Sequence, residues 1–300
     1  MRSVFFDEFK ALHRDNESLF FLTAATGYNL VEPIFEQAPL RALNVGIAEQ
    51  NMIGVASGLA NVGFLPICYA LTNFLVQRSF EQIRNDICLN QKKVILVGTS
   101  TGYDQGALGP THHKLDDIGA LKALPNLRIY CPSGQKSMSA ILKEVLREKH
   151  ASFIRIPKGN YIEDDEITSP NHFIFEIDSP LLVISHGKMV GNAISAYKKS
   201  PNFALYAMDR IKPLDSKLLY QLFENFKDIV VLEDNFRSGL YNSICQWSIE
   251  ESAPHRNIVS IAPEEFYDDI VGNTEYLEEK HGLSPSRIEK KINQLLSIEG

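Results

Sequence analysis

The stretch Lys93-Val-Ile-Leu-Val-Gly98-Thr-Ser-Thr-Gly-Tyr-Asp-Gln-Gly-Ala-Leu-Gly-Pro-Thr-His-His113 decides the fold. An unbroken apolar run ending in glycine is the pattern of a central parallel strand covered on both faces. The sixteen residues from Gly98 to His113 hold four glycines and a proline, so they cannot be helix or strand throughout. A long loop leaving a central strand is a candidate site. Upstream, residues 4–13 have the spacing of an amphipathic helix through Val4, Phe5, Phe9 and Leu12. Residues 18–24 form a short buried strand whose C-terminal loop, Thr23-Ala-Ala-Thr-Gly-Tyr-Asn29, lies where open α/β sheets place ligands. Residues 64–70 form another strand and 74–88 a helix. Downstream come strand 127–131, helix 136–148 and strand 152–156. Strands alternating with helices define a doubly wound α/β unit.

After residue 156 the character changes. Residues 159–172 include four consecutive acids followed by Ser-Pro and are expected to be a linker. The alternation then restarts, with strands expected at 181–185, 203–208, 229–233 and 258–262, and helices at 190–199, 216–226 and 240–249. The tail 284–296 starts with Ser284 as cap and Pro285 at the first helical position. The fold class is therefore α/β, two doubly wound α/β/α domains spanning 1–168 and 169–300.

Composition narrows the function. With 300 residues, 44% hydrophobic and 22% charged, the chain has the makeup of a soluble globular protein. A formal charge of -7 leaves no basic field for nucleic acid. No apolar run reaches the length of a membrane span, and the N-terminus carries no leader pattern, so a cytoplasmic address is expected. Cys68, Cys88, Cys131 and Cys245 are too scattered for a zinc site or a disulfide framework and are expected to be reduced.

The chemistry centres on Val45-Gly-Ile-Ala-Glu49-Gln-Asn-Met-Ile-Gly-Val-Ala-Ser-Gly-Leu-Ala60, where one glutamate opens a helix of small and apolar residues. A glutamate in a first turn commonly just complements the helix dipole. A helix apolar nearly all round, however, is expected to be buried against another backbone. Burial raises a carboxyl's pKa and suits it to share a proton with a ring nitrogen. His112 and His113, in their glycine-rich loop, are ligand-contact candidates, with no partner acid at metal spacing. Asp116 and Asp117 have the position of helix-start residues. Arg78 and Arg84 sit on different faces of helix 74–88, and spacing alone gives Phe74 no role beyond packing. The chain has no Gly-x-Gly-x-x-Gly, no phosphate-loop lysine motif and no Gly-Asp-Gly followed by Asn for a metal-bound diphosphate.

Four ordered segments, Gly46-Ile-Ala-Glu-Gln-Asn51, Phe74-Leu-Val-Gln-Arg-Ser-Phe-Glu-Gln-Ile-Arg-Asn-Asp86, Gly109-Pro-Thr-His-His113 and Ala123-Leu-Pro-Asn-Leu-Arg-Ile-Tyr-Cys-Pro-Ser133, resemble the pyrimidine-binding domain of transketolases. Ile184-Ser-His-Gly-Lys-Met-Val190, Ile211-Lys-Pro-Leu-Asp215 and Val231-Leu-Glu-Asp-Asn235 resemble the transketolase C-terminal domain. The resemblance implies the C-terminal subunit of a split transketolase. It would be active with a separate N-terminal subunit holding the diphosphate of thiamine diphosphate and Mg2+, in an α2β2 assembly around a homodimer core. It also implies roles for residues. The Glu49 carboxyl would hydrogen-bond the cofactor's aminopyrimidine nitrogen and so promote loss of the thiazolium proton. Phe74 would pack on the pyrimidine, with Ile47 and Arg78 beside it, and His112 would meet donor hydroxyls. His113, Ser100, Leu108, Lys158, Arg2 and Asn29 fall at substrate-side positions.

The departures fall on the acceptor side. The family's Gly-Glu-Asp-Gly-Pro-Thr-His-Gln is Gly106-Ala-Leu-Gly-Pro-Thr-His-His113 here, which puts Leu108 in place of an aspartate. Ser100 replaces a histidine, Lys158 an arginine and Ala25 an acid. The expected reaction is two-carbon ketol transfer to an acceptor other than an ordinary pentose phosphate. The alternatives are a deoxyxylulose-phosphate synthase-like or 2-oxoacid dehydrogenase β-type subunit acting on pyruvate, or a non-catalytic assembly protein.

Overall fold

The structure, a computed structural model, describes residues 1–158 and 169–297. The strands in chain order are β1 (Leu19–Thr23), β2 (Ala42–Asn44), β3 (Leu65–Leu71), β4 (Ile95–Thr99), β5 (Leu127–Tyr130), β6 (Ala151–Ile156), β7 (Asn171–Phe175), β8 (Leu181–Ser185), β9 (Ala204–Met208), β10 (Arg210–Lys212), β11 (Asp228–Leu232) and β12 (Asn257–Ile261). They form a seven-stranded sheet, order β10-β5-β6-β4-β3-β1-β2, and a five-stranded sheet, order β12-β11-β8-β9-β7. Both are parallel except for the edge strands β10 and β7, which run antiparallel.

β4 lies at the centre of the large sheet, as the Val94–Gly98 run requires. Alternate side chains on its strands feed two clusters. Phe21, Ile67 and Ile95 pack with Phe5, Phe9 and Ile141. Leu22, Cys68 and Leu96 pack on the other face with Met52, Ile53, Leu75 and Ile118. This second cluster continues without a break into Leu182, Ile184, Leu222 and Trp247 of the small sheet, so one apolar core joins the two units. The small sheet's other face packs Val183, Leu205 and Val230 against Met189, Ile288 and Ile292. All four cysteines are free thiols. No helix among the described residues is long and apolar enough to cross a membrane.

Three elements differ from expectation. The stretch 159–172 is not a linker throughout: residues 159–168 lie outside the described residues, but Asn171 and His172 already belong to β7, pairing with Met208 and Ala207. β10 returns from the second half of the chain to complete the first sheet, pairing Arg210 with Tyr130. A three-residue edge strand carries too little pattern to be seen in advance. Finally, the helix Glu49–Asn61 is not covered all round within the chain. Asn51, Gly54 and Gly58 are exposed, and a Cβ added at either glycine would touch nothing within 4 Å.

Candidate active site

Three loops at the C-terminal ends of strands in the large sheet converge, as the rule for open α/β sheets demands. The loop after β2 leads to Glu49, β3 leads to Phe74, and β4 leads through the glycine-rich loop to His112. Glu49, at the first position of its helix, is buried with 4% of its surface exposed. Its carboxylate is not alone, although its sequence neighbours are small and apolar. The Arg78 guanidinium donates to Oε2 at 2.9 Å. Arg78 also lies 4.1 Å over the Phe74 ring, and Phe74 meets His112 edge-on at 5.1 Å between centroids. Glu49, Arg78, Phe74 and His112 thus form one continuous arc.

The segment that supplies the middle of this arc is unusual. Phe74–Arg78 and Ile83–Leu89 are wound as π-helix around a single α turn at Phe80–Gln82. The wider winding puts Phe74 and Arg78 where one ring and one guanidinium stack, and π-type turns concentrate at functional sites. Arg84, on another face, is exposed and bonds Asn85.

His112 is half-buried and its Nδ1 shares a hydrogen bond with Thr111 Oγ1 at 3.0 Å. Burial, with the Lys114 and Arg78 charges, holds its pKa below the ordinary value, which favours the neutral ring at pH 7. His113 turns the other way. It is 7% exposed and packs edge-on to Tyr103, which itself stacks on His281 from the second unit. The two rings thus take different neighbours, although His113 also borders the pocket lined by Phe74 and Arg78.

Ile47 is 77% exposed, two residues before Glu49. Ser100 is buried with φ +69°, its amide donating to Ile156 O. Leu108 is exposed on the short turn Gly106–Leu108. Lys158 donates from its amide and Nζ to Asp104. Asn29 is exposed with φ +68°, and Arg2 lies near the Tyr69 phenol. Among the described residues, none of these six shares a hydrogen bond or ion pair with the Glu49–Arg78–Phe74–His112 arc.

Asp116 and Asp117 do start a helix, Asp117–Lys122, but neither side chain caps it. Asp117 is fully buried and accepts from Arg155 Nε at 2.7 Å, while Arg155 Nη1 donates to Asp234 of the second unit at 2.5 Å. Sequence reasoning missed this ion cluster at the junction, although an arginine inside the apolar strand Ser152-Phe-Ile-Arg-Ile156 was a signal. Behind the His112 loop, a Cβ on Gly106 would lie 2.6 Å from Gly272 O, so the second unit braces that loop by direct backbone approach.

A buried carboxylate, an aromatic wall and a half-buried imidazole along an exposed edge suit the pyrimidine half of thiamine diphosphate. For the diphosphate half, no cluster of three or more His, Cys, Asp or Glu among the described residues is arranged to hold a metal ion. The fold and this arc fit the pyrimidine-binding unit of a thiamine-diphosphate-dependent class of protein. The family model described as "Transketolase, pyrimidine binding domain" matches residues 1–163, and the chain belongs to that family.

Two kinds of curated protein are similar to the chain. The 1-deoxy-D-xylulose-5-phosphate synthase of Syntrophus aciditrophicus is 30% identical over 268 residues, 84% of this chain and 40% of that protein. One subunit of the apulose-4-phosphate transketolase of Actinobacillus succinogenes is 27% identical over 233 residues, 75% of each chain. The chain spans less than half the length of the synthases it matches. Among solved structures, "Split gene transketolase, inactive beta4 tetramer" superposes with a TM-score of 0.85 at 24% identity, over 99% of this chain and 97% of that one. Transketolase from Leishmania mexicana gives 0.80 at 19% identity, over 98% of this chain and 45% of that one. At these identities the structural likeness establishes the fold alone.

Proposed function

We propose that the chain is the pyrimidine-binding subunit of a two-component transketolase, moving a two-carbon ketol unit from a ketose to an aldehyde acceptor other than an ordinary pentose phosphate. The observation that carries this is the Glu49–Arg78–Phe74–His112 arc at the edge of a family-matched unit. Bound thiamine diphosphate supplies a carbon nucleophile and an electron sink for breaking the bond beside a ketone. Glu49 would hold a proton at the pyrimidine ring nitrogen, and Arg78 fixes the carboxylate's direction. Phe74 would pack on the pyrimidine with Ile47 at its margin, and His112, as a neutral imidazole, would hydrogen-bond the donor's hydroxyls.

One feature favours a separate partner carrying the diphosphate and Mg2+ site, and a second favours a homodimer core. The match to one component of the Actinobacillus succinogenes transketolase extends over 75% of both chains. The helix behind Glu49 leaves Gly54 and Gly58 uncovered, a surface suited to close approach by another backbone. We assign that surface to the homodimer core of an α2β2 assembly. The family resemblance gives Leu108, Ser100 and Lys158 the acceptor side, and the loss there of an aspartate, a histidine and an arginine supports the proposal of a non-standard acceptor.

The test is co-expression with an N-terminal subunit containing the Gly-Asp-Gly motif, followed by assay with thiamine diphosphate and magnesium. Glu49→Ala should remove turnover by more than about a hundredfold; equal activity of that variant refutes the catalytic assignment. Near-normal activity with ribose 5-phosphate and xylulose 5-phosphate refutes the non-standard acceptor. A second reading, synthesis of a deoxyketose phosphate from pyruvate, is favoured by the 30% identity to a 1-deoxy-D-xylulose-5-phosphate synthase. Carbon dioxide release from pyruvate by the complex distinguishes the two.

A further inference from the structure

One tyrosine from the second unit reaches the wall of the proposed cofactor site. Residues 262–273 run from the end of β12 back across the first unit, and Tyr267 borders a pocket of about 300 Å³ with Phe74, Arg78, Pro110 and Asp116. Its hydroxyl donates to Asp116 Oδ2 at 2.9 Å, and Gln77 Nε2 donates to Asp116 Oδ1 at 2.7 Å. Both carboxylate oxygens are thereby engaged, which explains why Asp116 leaves its helix uncapped. Gln77 precedes Arg78 on the Phe74–Arg78 turn, so the line of contacts runs from Tyr267 through Asp116 and Gln77 to the arginine that holds Glu49.

The approach of Tyr267 is fixed from its own side as well. Phe236 meets its ring edge-on at 6.0 Å, and the Phe236 amide donates to Leu115 O at 2.6 Å, one residue from Asp116. The neighbouring Asp268 is held by Lys280 and lies 3.2 Å from His281 Nε2. The strap is therefore tied to its own unit beside Tyr267 and to the first unit beside Asp116.

We propose that Tyr267 is a positioning residue for the cofactor half-site, holding the Phe74–Arg78 turn through Asp116 and Gln77 so that Arg78 stays on Glu49. This rests on the thiamine-diphosphate reading above and goes beyond it by giving the second unit a part in the site. Tyr267 touches neither Glu49 nor the reacting atoms, so its effect falls on cofactor affinity.

The experiment compares the assembled complex carrying Tyr267→Phe, Asp116→Ala or both with the unaltered complex, by calorimetric titration with thiamine diphosphate and by kinetics. The Tyr267–Asp116 hydrogen bond is solvent-exposed and acts through Gln77, so its loss passes on only part of a bond to a charged group and predicts a rise in the half-saturating cofactor concentration of about three- to tenfold. The rate at saturating cofactor should fall much less. Tyr267→Phe should add nothing in the Asp116→Ala background, a coupling that loss of general stability does not produce. Unchanged affinity of the Tyr267→Phe complex, or additive effects of the two changes, overturns the proposal while leaving the functional reading standing. If the unaltered complex takes up no thiamine diphosphate, the functional reading falls and this proposal with it. On the full chain alone, phenylglyoxal should modify Arg78 faster in Tyr267→Phe, measured by peptide mass spectrometry; an unchanged rate also overturns the proposal.

Discussion

Replacing Lys114 by methionine should stabilise the chain, most strongly at pH 7 and below. The Lys114 side chain follows the two loop histidines into the junction between the units, where it is fully buried and Nζ has no hydrogen-bond partner among the described residues. Burial pushes the ammonium down from the ordinary 10.5 to about 7; Asp104 and Asp117 pull it up, Lys158 and Arg155 push it further down. Between those two pH values the unfolded chain binds more protons than the folded one, so stability rises with pH across that window. The penalty is fully present below pH 7 and vanishes above pH 10.5. A shift of about 3.5 units at about 1.4 kcal/mol each gives a cost of about 4 kcal/mol at pH 7 and about 1 kcal/mol at pH 10. Methionine keeps the unbranched stem and removes the charge. Urea unfolding of both proteins at pH 7, 8.5 and 10 should show a gap favouring Lys114→Met that closes as pH rises. Parallel pH dependences would refute the reasoning, because every other titrating group is common to both chains.

Removing Arg155 acts in the opposite direction. Arg155→Leu leaves the Asp117 and Asp234 carboxylates buried without their cation, at a cost of about 3–5 kcal/mol in urea unfolding. Gly98→Ala would place a Cβ 2.7 Å from Thr72 Oγ1 and 2.8 Å from Phe153 Cε2 in the centre of the large sheet, and should lower stability by about 1–3 kcal/mol by the same assay. Gly58→Leu, on the uncovered helix face, should leave the circular dichroism and unfolding of the chain unchanged or slightly improved. If that face is the homodimer core, Gly58→Leu also reduces the assembly's mass in sedimentation; an unchanged mass removes the face from the interface.

The sequence was most legible where burial on both faces forces a pattern. Val94–Gly98 and Leu181–Ser185 are continuous apolar runs, and each became an interior parallel strand. It was least legible where long-range pairing decides. β2 and β10, three residues each, exist because β1 and β5 offer partners, which no local propensity encodes. The candidate site divides in the same way. Glu49 was conspicuous because a lone acid contradicts its apolar surroundings. Its link to Arg78, 29 positions away, depends on the π-helical winding of Phe74–Arg78 and could not be read from α-helical spacing. The pair His112-His113 looked like one feature because adjacent residues share a loop. In the structure the chain turns between them, sending one ring to Phe74 and the other to Tyr103.

The arrangement of Glu49 carries a consequence for assembly. Its helix is packed on Met52, Ile53 and Ala56 and open on Asn51, Gly54 and Gly58, while Ile47 at its entrance is 77% exposed. The catalytic candidate therefore stands where the covered and uncovered faces of one helix meet. Unless a second surface covers the exposed part of this helix, water beside Glu49 would compete for the hydrogen bonds its carboxylate makes. Excluding that water requires a second surface, and the small-residue face at Gly54 and Gly58 is what such a surface would seal against. On this reasoning the isolated chain should bind thiamine diphosphate weakly and the assembled complex more tightly, because closure removes the solvent; equal affinities in calorimetric titration would refute it.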